Sequence, residues 1–147
     1  MAIKRSASAL WNGTGLEGKG VLNSSNKFFD NTPYSTKSRF ENEDGTLGTN
    51  PEELLAAAHA GCFTMALSFA IANAGFTADE LKTDAIVTID KEGAHFSVTG
   101  IELKLEGKVT GMEESQFVEL ANGAKAGCPI SKALSAVPIT LTTIFTP

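Results

Sequence analysis

From Leu54 to Gly75 the chain carries no Asp, Glu, Lys or Arg, and only His59 titrates there near neutral pH. A run of about 22 residues is long enough in principle to span a bilayer. Its make-up argues otherwise. Ala, Gly, Ser, Thr and Asn are as frequent in it as Leu and Phe, Glu52 and Glu53 precede it, and no basic cluster or Trp/Tyr belt flanks it. The run therefore reads as a central helix surrounded by protein, with no membrane partner. Its ends are marked. Asn50 can cap it, Pro51 suits the first helical position, and Glu52 and Glu53 favour the positive end of the helix dipole. Glu53 follows Asn50 at the capping-box spacing, and Gly75 supplies a C-terminal stop after about Ala74. Leu54, Ala58, Cys62, Met65 and Phe69 step by three or four, which places Cys62 on an apolar stripe.

The remaining elements must cover that helix. The sequence has 147 residues, which suits one domain spanning 1–147 that buries roughly two-thirds of its unfolded surface. Before the helix, Ile3, Arg5, Ala7 and Ala9 alternate with polar neighbours. Turn chemistry follows at Asn12-Gly13 and from Gly15 to Gly20. Short strands are expected over Gly20–Ser24, Lys27–Asp30 and Ser35–Glu41, the last carrying Arg39. Asn42 to Thr49 is polar and Gly-rich and reads as a loop.

After the helix, Ala85, Val87 and Ile89 alternate, and Lys91-Glu92-Gly93 turns the chain. Phe96 and Val98 then fall at even positions but Ile101, Leu103 and Leu105 at odd ones, so a bulge is expected at Thr99-Gly100. Glu113 to Ala126 reads as a second helix. Pro129 opens a short third helix through Ser135, and Val137, Ile139 and Leu141 suggest a final strand. The fold class is α+β, with a helix too apolar for a lone domain of this size to cover. A homodimer sharing the helix would resolve that.

Composition narrows the function classes. Apolar residues are 42% and charged residues 20%, ordinary for a globular chain. The net charge is −5 and Lys and Arg are not clustered, so nucleic acid is not an expected partner. Lys4 and Arg5 are not followed by an apolar export segment, and a cytoplasmic protein is expected. Two cysteines in that setting point to thiol chemistry, metal ligation or inert burial before a structural staple.

By helix position alone, Cys62 reads as a small core hydrophobe whose pKa burial would raise. Reactivity would need a cation. Arg39 is a candidate, since a guanidinium stays charged when partly buried, and Glu52 could hold it bidentately. Taken singly, Arg39 also reads as a solvated strand residue and Glu52 as a capping carboxylate. Cys128 stands between Gly127 and Pro129 at a helix start, where amides and dipole favour a thiolate. A zinc site could be drawn from His59, Cys62, His95 and Cys128, although their spacing matches no compact finger. A Cys-His hydrolase could pair either cysteine with His95. No phosphate loop, dinucleotide fingerprint or H-E-x-x-H is present.

Two motifs carry a resemblance. Thr49-Asn50-Pro51-Glu52-Glu53-Leu54, followed by Ala57-Ala58-His59-Ala60-Gly61-Cys62-Phe63, resembles the first signature of the OsmC/Ohr family. Ala124-Lys125-Ala126-Gly127-Cys128-Pro129-Ile130-Ser131 resembles the second. The similarity covers essentially the whole chain, including Gly18-Lys19-Gly20, Pro33-Tyr34 and Arg39-Phe40-Glu41. The Arg shortly before the long helix and the Pro33-Tyr34 stretch look closer to the osmotically inducible OsmC branch than to Ohr. Gly61 stands where many members have Ala.

The resemblance implies an OsmC-like fold: antiparallel sheets packed around the central helix, in an intertwined homodimer with active sites at the subunit interface. It implies a thiol peroxidase without a cofactor or metal. Cys62 would be the peroxidatic cysteine, Cys128 the resolving one, Arg39 the catalytic arginine and Glu52 its acidic partner. The implied substrate is an organic hydroperoxide, and hydrogen peroxide more weakly. The Cys62 sulfenic acid would condense with Cys128 to a disulfide, recycled by a dithiol of the dihydrolipoyl type. Two other classes share these residues: a redox sensor with little turnover, and a stress-induced structural protein with incidental thiols.

Overall fold

A computed structural model describes residues 2–42 and 46–147. The chain divides into two compact units, Met1–Leu54 and Leu55–Pro147.

The first unit holds an antiparallel sheet in the order β1 (Ala7–Asn12), β2 (Lys19–Ser24), β3 (Thr32–Ser35). Gly20 pairs with Trp11 on one side and Tyr34 on the other. A Cβ at Gly20 would strike the Tyr34 ring and the Leu10 carbonyl. Glycine there lets the Tyr34 ring lie across the strand, tilted against Trp11 at 5.3 Å.

Two of the expected strands are corrected in this unit. Lys27–Asp30 forms bends after a turn at Ser25-Asn26 instead. The Asn26 side chain accepts from the Ser24 hydroxyl and the Phe28 amide, and Lys27 adopts φ 60°. These local bonds compete with a ladder, and the strand forms later, at β3. Ser35–Glu41 forms a short helix, α1 (Thr36–Phe40), in place of a strand. Ser35 caps it: the Ser38 amide donates to the Ser35 hydroxyl, and the Ser35 amide donates to the Ser38 hydroxyl. The Ser38 hydroxyl also lies 3.2 Å from the Thr49 carbonyl, which ties α1 to the approach of the long helix. Of the loop expected over Asn42–Thr49, residues 43–45 lie outside the described residues. Asn42 and 46–49 form neither helix nor strand.

The long helix is α2 (Pro51–Asn73), and the boundary between units falls inside it. Its start is as expected: the Glu53 amide donates to the Asn50 side chain at 2.9 Å. At its end the Phe76 amide donates to the Ile71 carbonyl and the Gly75 amide to the Ala72 carbonyl, with Gly75 at φ 88°. That is a Schellman closure, which needs a left-handed residue where glycine stands.

The second unit holds a sheet in the order β4 (Glu80–Glu92), β5 (His95–Lys108), β6 (Ile139–Thr146). β4 and β5 form a long hairpin. Thr88 pairs with Gly100 and Ile89 with Val98, so Thr99 is the extra residue of the expected bulge. β6 joins β5 in parallel. The sheet is mixed, which corrects the wholly antiparallel expectation. A parallel partner needs a crossover, and α3 (Glu114–Gly127) and α4 (Pro129–Ala133) provide it.

The core lies in this unit. Phe63, Leu67 and Ile71 from α2 form one cluster with Ile101, Leu103 and Leu105 from β5 and Phe117, Ala121 and Ala124 from α3. Glu102, Lys104 and Glu106 alternate with the buried β5 residues, as the two-residue period of a half-buried strand requires. The buried stripe of α2 is His59, Phe63, Leu67, Ile71, which differs from the expected stripe. Met65 and Phe69 are 62% and 66% exposed. The helix is apolar on more than one side, so its periodicity alone could not choose the inward face. It has the length and apolarity of a membrane span, yet it packs this stripe into the sheet core.

Candidate active site

The four residues singled out in the sequence fall into two pairs. Arg39 and Glu52 form the first. α1 carries Arg39 and the opening turn of α2 carries Glu52. The Arg39 Nε donates to Glu52 Oε2 at 3.1 Å and Nη2 to Oε1 at 2.6 Å. Both contacts together make a bidentate fork. The side chains are 34% and 15% exposed, and the guanidinium also lies over the Phe40 ring at 5.0 Å.

Cys62 and Cys128 form the second pair. Both are reduced, and their sulfurs stand 2.8 Å apart. That is about 0.8 Å beyond a disulfide bond length. Cys62 projects from α2 and is partly accessible, whereas Cys128, at the joint between α3 and α4, is fully buried. The joint forms because Pro129 cannot continue α3 but suits the first turn of α4.

The two sulfurs differ electrostatically. Burial pushes the Cys62 thiol up, and its hydrogen bond with Cys128 raises it further, against a smaller opposing effect of the Ile130 amide. Burial also pushes Cys128 up, but its hydrogen bond with Cys62 and the polar groups of Ser131 and Ile130 outweigh it, and Cys128 lies below its ordinary value. The Cys128 thiol donates to Cys62 Sγ across that contact.

One histidine belongs to this site, and its role was not foreseen. His59 is fully buried one turn before Cys62, and its Nε2 lies 2.8 Å from the Ser131 hydroxyl. The signal was present in the sequence: His59 precedes Cys62 by three residues, and Ser131 follows Cys128 by three. His95, the partner in the hydrolase alternative, is exposed at the β4–β5 turn, opposite Glu92. The zinc alternative also loses its ligand set, because no three His, Cys, Asp or Glu side chains are grouped as a metal site needs among the described residues. An open groove of about 580 Å³ runs along α2 and the start of β4, past Gly61, Thr64, Met65, Ser68, Leu81 and Thr83, and neither sulfur lines it.

The OsmC-like protein family matches residues 42–142. The chain belongs to that family. It is 44% identical to peroxiredoxin OsmC of Escherichia coli (strain K12) over 92% of this chain and 93% of that one. It is 34% identical to the organic hydroperoxide resistance protein of Xanthomonas axonopodis pv. citri (strain 306), over 87% of each. The higher identity to the OsmC relative agrees with the branch read from Arg39 and Pro33-Tyr34. The crystal structure of an OsmC-like protein from Mycoplasma pneumoniae superposes with a TM-score of 0.78, covering 100% of both chains at 16% identity. The OsmC-like fold expected from the two motifs is therefore the fold of this chain.

Burial pushes the His59 pKa below its ordinary value of 6.5, and this has a consequence for acid stability. The unfolded chain takes up a proton on His59 as pH falls through about 6.5, while the folded chain does not, so stability is lost toward acid. Each pH unit in that window costs up to about 1.4 kcal/mol until the folded-state value is reached. Urea unfolding of the wild type should therefore show a steeper loss between about pH 6.5 and 5 than the His59→Gln variant. Equal slopes would mean that His59 is not held neutral.

Proposed function

We propose that this chain, acting as one domain over residues 1–147, is a cytoplasmic thiol peroxidase that reduces organic hydroperoxides through Cys62 and Cys128. The observation that carries the reading is the pair of reduced sulfurs at 2.8 Å, one accessible and one enclosed. The difference in access supports these roles. A hydroperoxide reaches Cys62, and Cys128 is held behind it to react second. The names of the peroxiredoxin and hydroperoxide resistance relatives support the same chemistry.

The electrons balance within the pair. Cys62 loses its proton to solvent, and its thiolate attacks the distal oxygen of the hydroperoxide. The O–O bond breaks, an S–O bond forms, and the alkoxide takes a proton to leave as an alcohol. The Cys128 sulfur then attacks the Cys62 sulfur of the sulfenic acid, the S–O bond breaks, and water departs with the Cys128 proton. A dithiol of the dihydrolipoyl type reduces the disulfide.

The environment of Cys62 favours its protonated form, so an anionic Cys62 requires a positive charge. Arg39 supplies that charge, and Glu52 orients the guanidinium. The acting species is a homodimer, which the uncovered Met65 and Phe69 on α2 support.

The test uses one equivalent of an organic hydroperoxide on the reduced protein. Intact mass should fall by two hydrogens, and a dithiol should restore it with repeated turnover. A disulfide that forms without sustained turnover would identify a redox sensor instead. Unchanged mass would leave two inert core thiols.

A further inference from the structure

Cys62 and Cys128 belong to two different helical segments, and a single contact between two segments fixes a distance without fixing an angle. A second contact lies beside the first. His59 Nε2 stands 2.8 Å from Ser131 Oγ, as Cys62 Sγ stands 2.8 Å from Cys128 Sγ. His59 precedes Cys62 by three residues on α2, and Ser131 follows Cys128 by three, at the third position of α4. On α2 residues three apart share a face, and a side chain at the third position of a helix reaches back toward its cap. The same two segments are therefore joined by two rungs, spaced about one helical turn apart on α2.

His59 and Ser131 are 0% and 6% exposed, so water does not compete for the bond. Serine can donate or accept, so the bond forms with either imidazole tautomer. The other buried residues of the α2 stripe, Phe63, Leu67 and Ile71, are apolar. A histidine among them is destabilising in itself, because its Nδ1 is buried and has no hydrogen-bond partner among the described residues. An apolar side chain would pack there without that penalty, and it would lose the rung. The α4 helix has only five residues, too few to hold its own direction without tertiary contacts.

We infer that His59 and Ser131 are positioning residues: their hydrogen bond fixes the rotation of α4 on α2 and so keeps the Cys128 sulfur aligned on Cys62. The sulfurs must still close by about 0.8 Å to bond. With the angle already set, that closure is a short translation. Without the rung, α4 is free to turn about the sulfur contact, and the reacting geometry is visited less often. The inference rests on the proposed peroxidase only for the step it serves, the condensation of Cys128 with the Cys62 sulfenic acid. The placement itself concerns two thiols and is tested without peroxide.

The experiment equilibrates the purified protein with reduced and oxidised glutathione at neutral pH. Oxidised glutathione takes two electrons and two protons from the dithiol, leaving the Cys62–Cys128 disulfide and two reduced glutathiones. The equilibrium constant then has units of concentration and reads the effective concentration of one thiol at the other. Ser131→Ala and His59→Leu should lower it about tenfold. Ser131→Thr and His59→Gln keep a hydrogen-bonding group and should stay within about threefold of wild type. Ile71→Val, further along the same stripe, weakens the same core and should leave the constant within about twofold. A constant unchanged in folded Ser131→Ala and His59→Leu would overturn the inference, as would an equal fall in Ile71→Val. Should the first two fail to fold, nitrogen NMR of the wild-type imidazole decides. A hydrogen-bonded Nε2 in both the dithiol and the disulfide supports the rung, and its loss in either form overturns it. The expected fall in a protein that consumes no peroxide would sink the peroxidase reading alone.

Discussion

Replacing Cys62 with serine should abolish dithiol-dependent hydroperoxide consumption while leaving the fold intact. Serine matches cysteine closely in shape, and Cys62 is only partly buried against the core. A neutral hydroxyl cannot take over from a thiolate near neutral pH, so turnover falls to the rate of the peroxide with reductant alone. Cys128→Ser should behave differently. Its Cys62 still reacts once, stops at the sulfenic acid, and forms no intramolecular disulfide. Arg39→Ala should slow that first oxidation more than Glu52→Gln, because one removes the charge and the other only its anchor. Peroxide consumption by each purified variant, with intact mass after one equivalent, reads all four. Turnover that survives in Cys62→Ser and vanishes in Cys128→Ser would reverse the two roles.

Phe117→Ala should be the most damaging of the core substitutions in α3. The Phe117 ring fills the space over Gly107, where any Cβ would collide with it. It also packs against Phe145 at 4.7 Å between centroids. One side chain thus joins α3 to β5 and β6. Truncation leaves a cavity bounded by glycine, which cannot lean in to fill it. The expected loss is about 3–5 kcal/mol, against about 5–15 kcal/mol for a typical whole domain. Urea denaturation should show the midpoint drop with the slope unchanged. A loss below about 1 kcal/mol would mean that the crossover collapses onto β5.

The elements that were legible in the sequence are those whose signals are local. Asn50, Pro51 and Gly75 bracket α2, and the parity switch at Thr99-Gly100 locates the bulge. The α1 helix was missed because its signal is a serine pair, Ser35 and Ser38, in a stretch that otherwise alternates like a strand. Which stripe of α2 faces inward depends on partners far along the chain, so Met65 and Phe69 were misplaced. The parallel pairing of β6 is a property of the crossover and leaves no mark on its own residues. The pairing of Arg39 with Glu52 was open to a charge argument, whereas that of Cys62 with Cys128 came only from the resemblance. Their separations of 13 and 66 residues are beyond any periodicity argument. His59 was visible as a residue but not as a partner, because Ser131 reaches it only through the tertiary fold.

The parallel seating of β6 has a kinetic side. A nascent or unfolded copy has two unrelated cysteines of ordinary acidity, widely separated along the chain. The segment bearing the second sulfur is pinned only when the crossover has closed and the final strand has docked beside β5. The approach of the two sulfurs is thus a long-range contact, of the kind that forms slowly. An unfinished chain would be no more reactive toward oxidants than any other unfolded polypeptide, and the ability to be oxidised selectively would itself report that the molecule has matured.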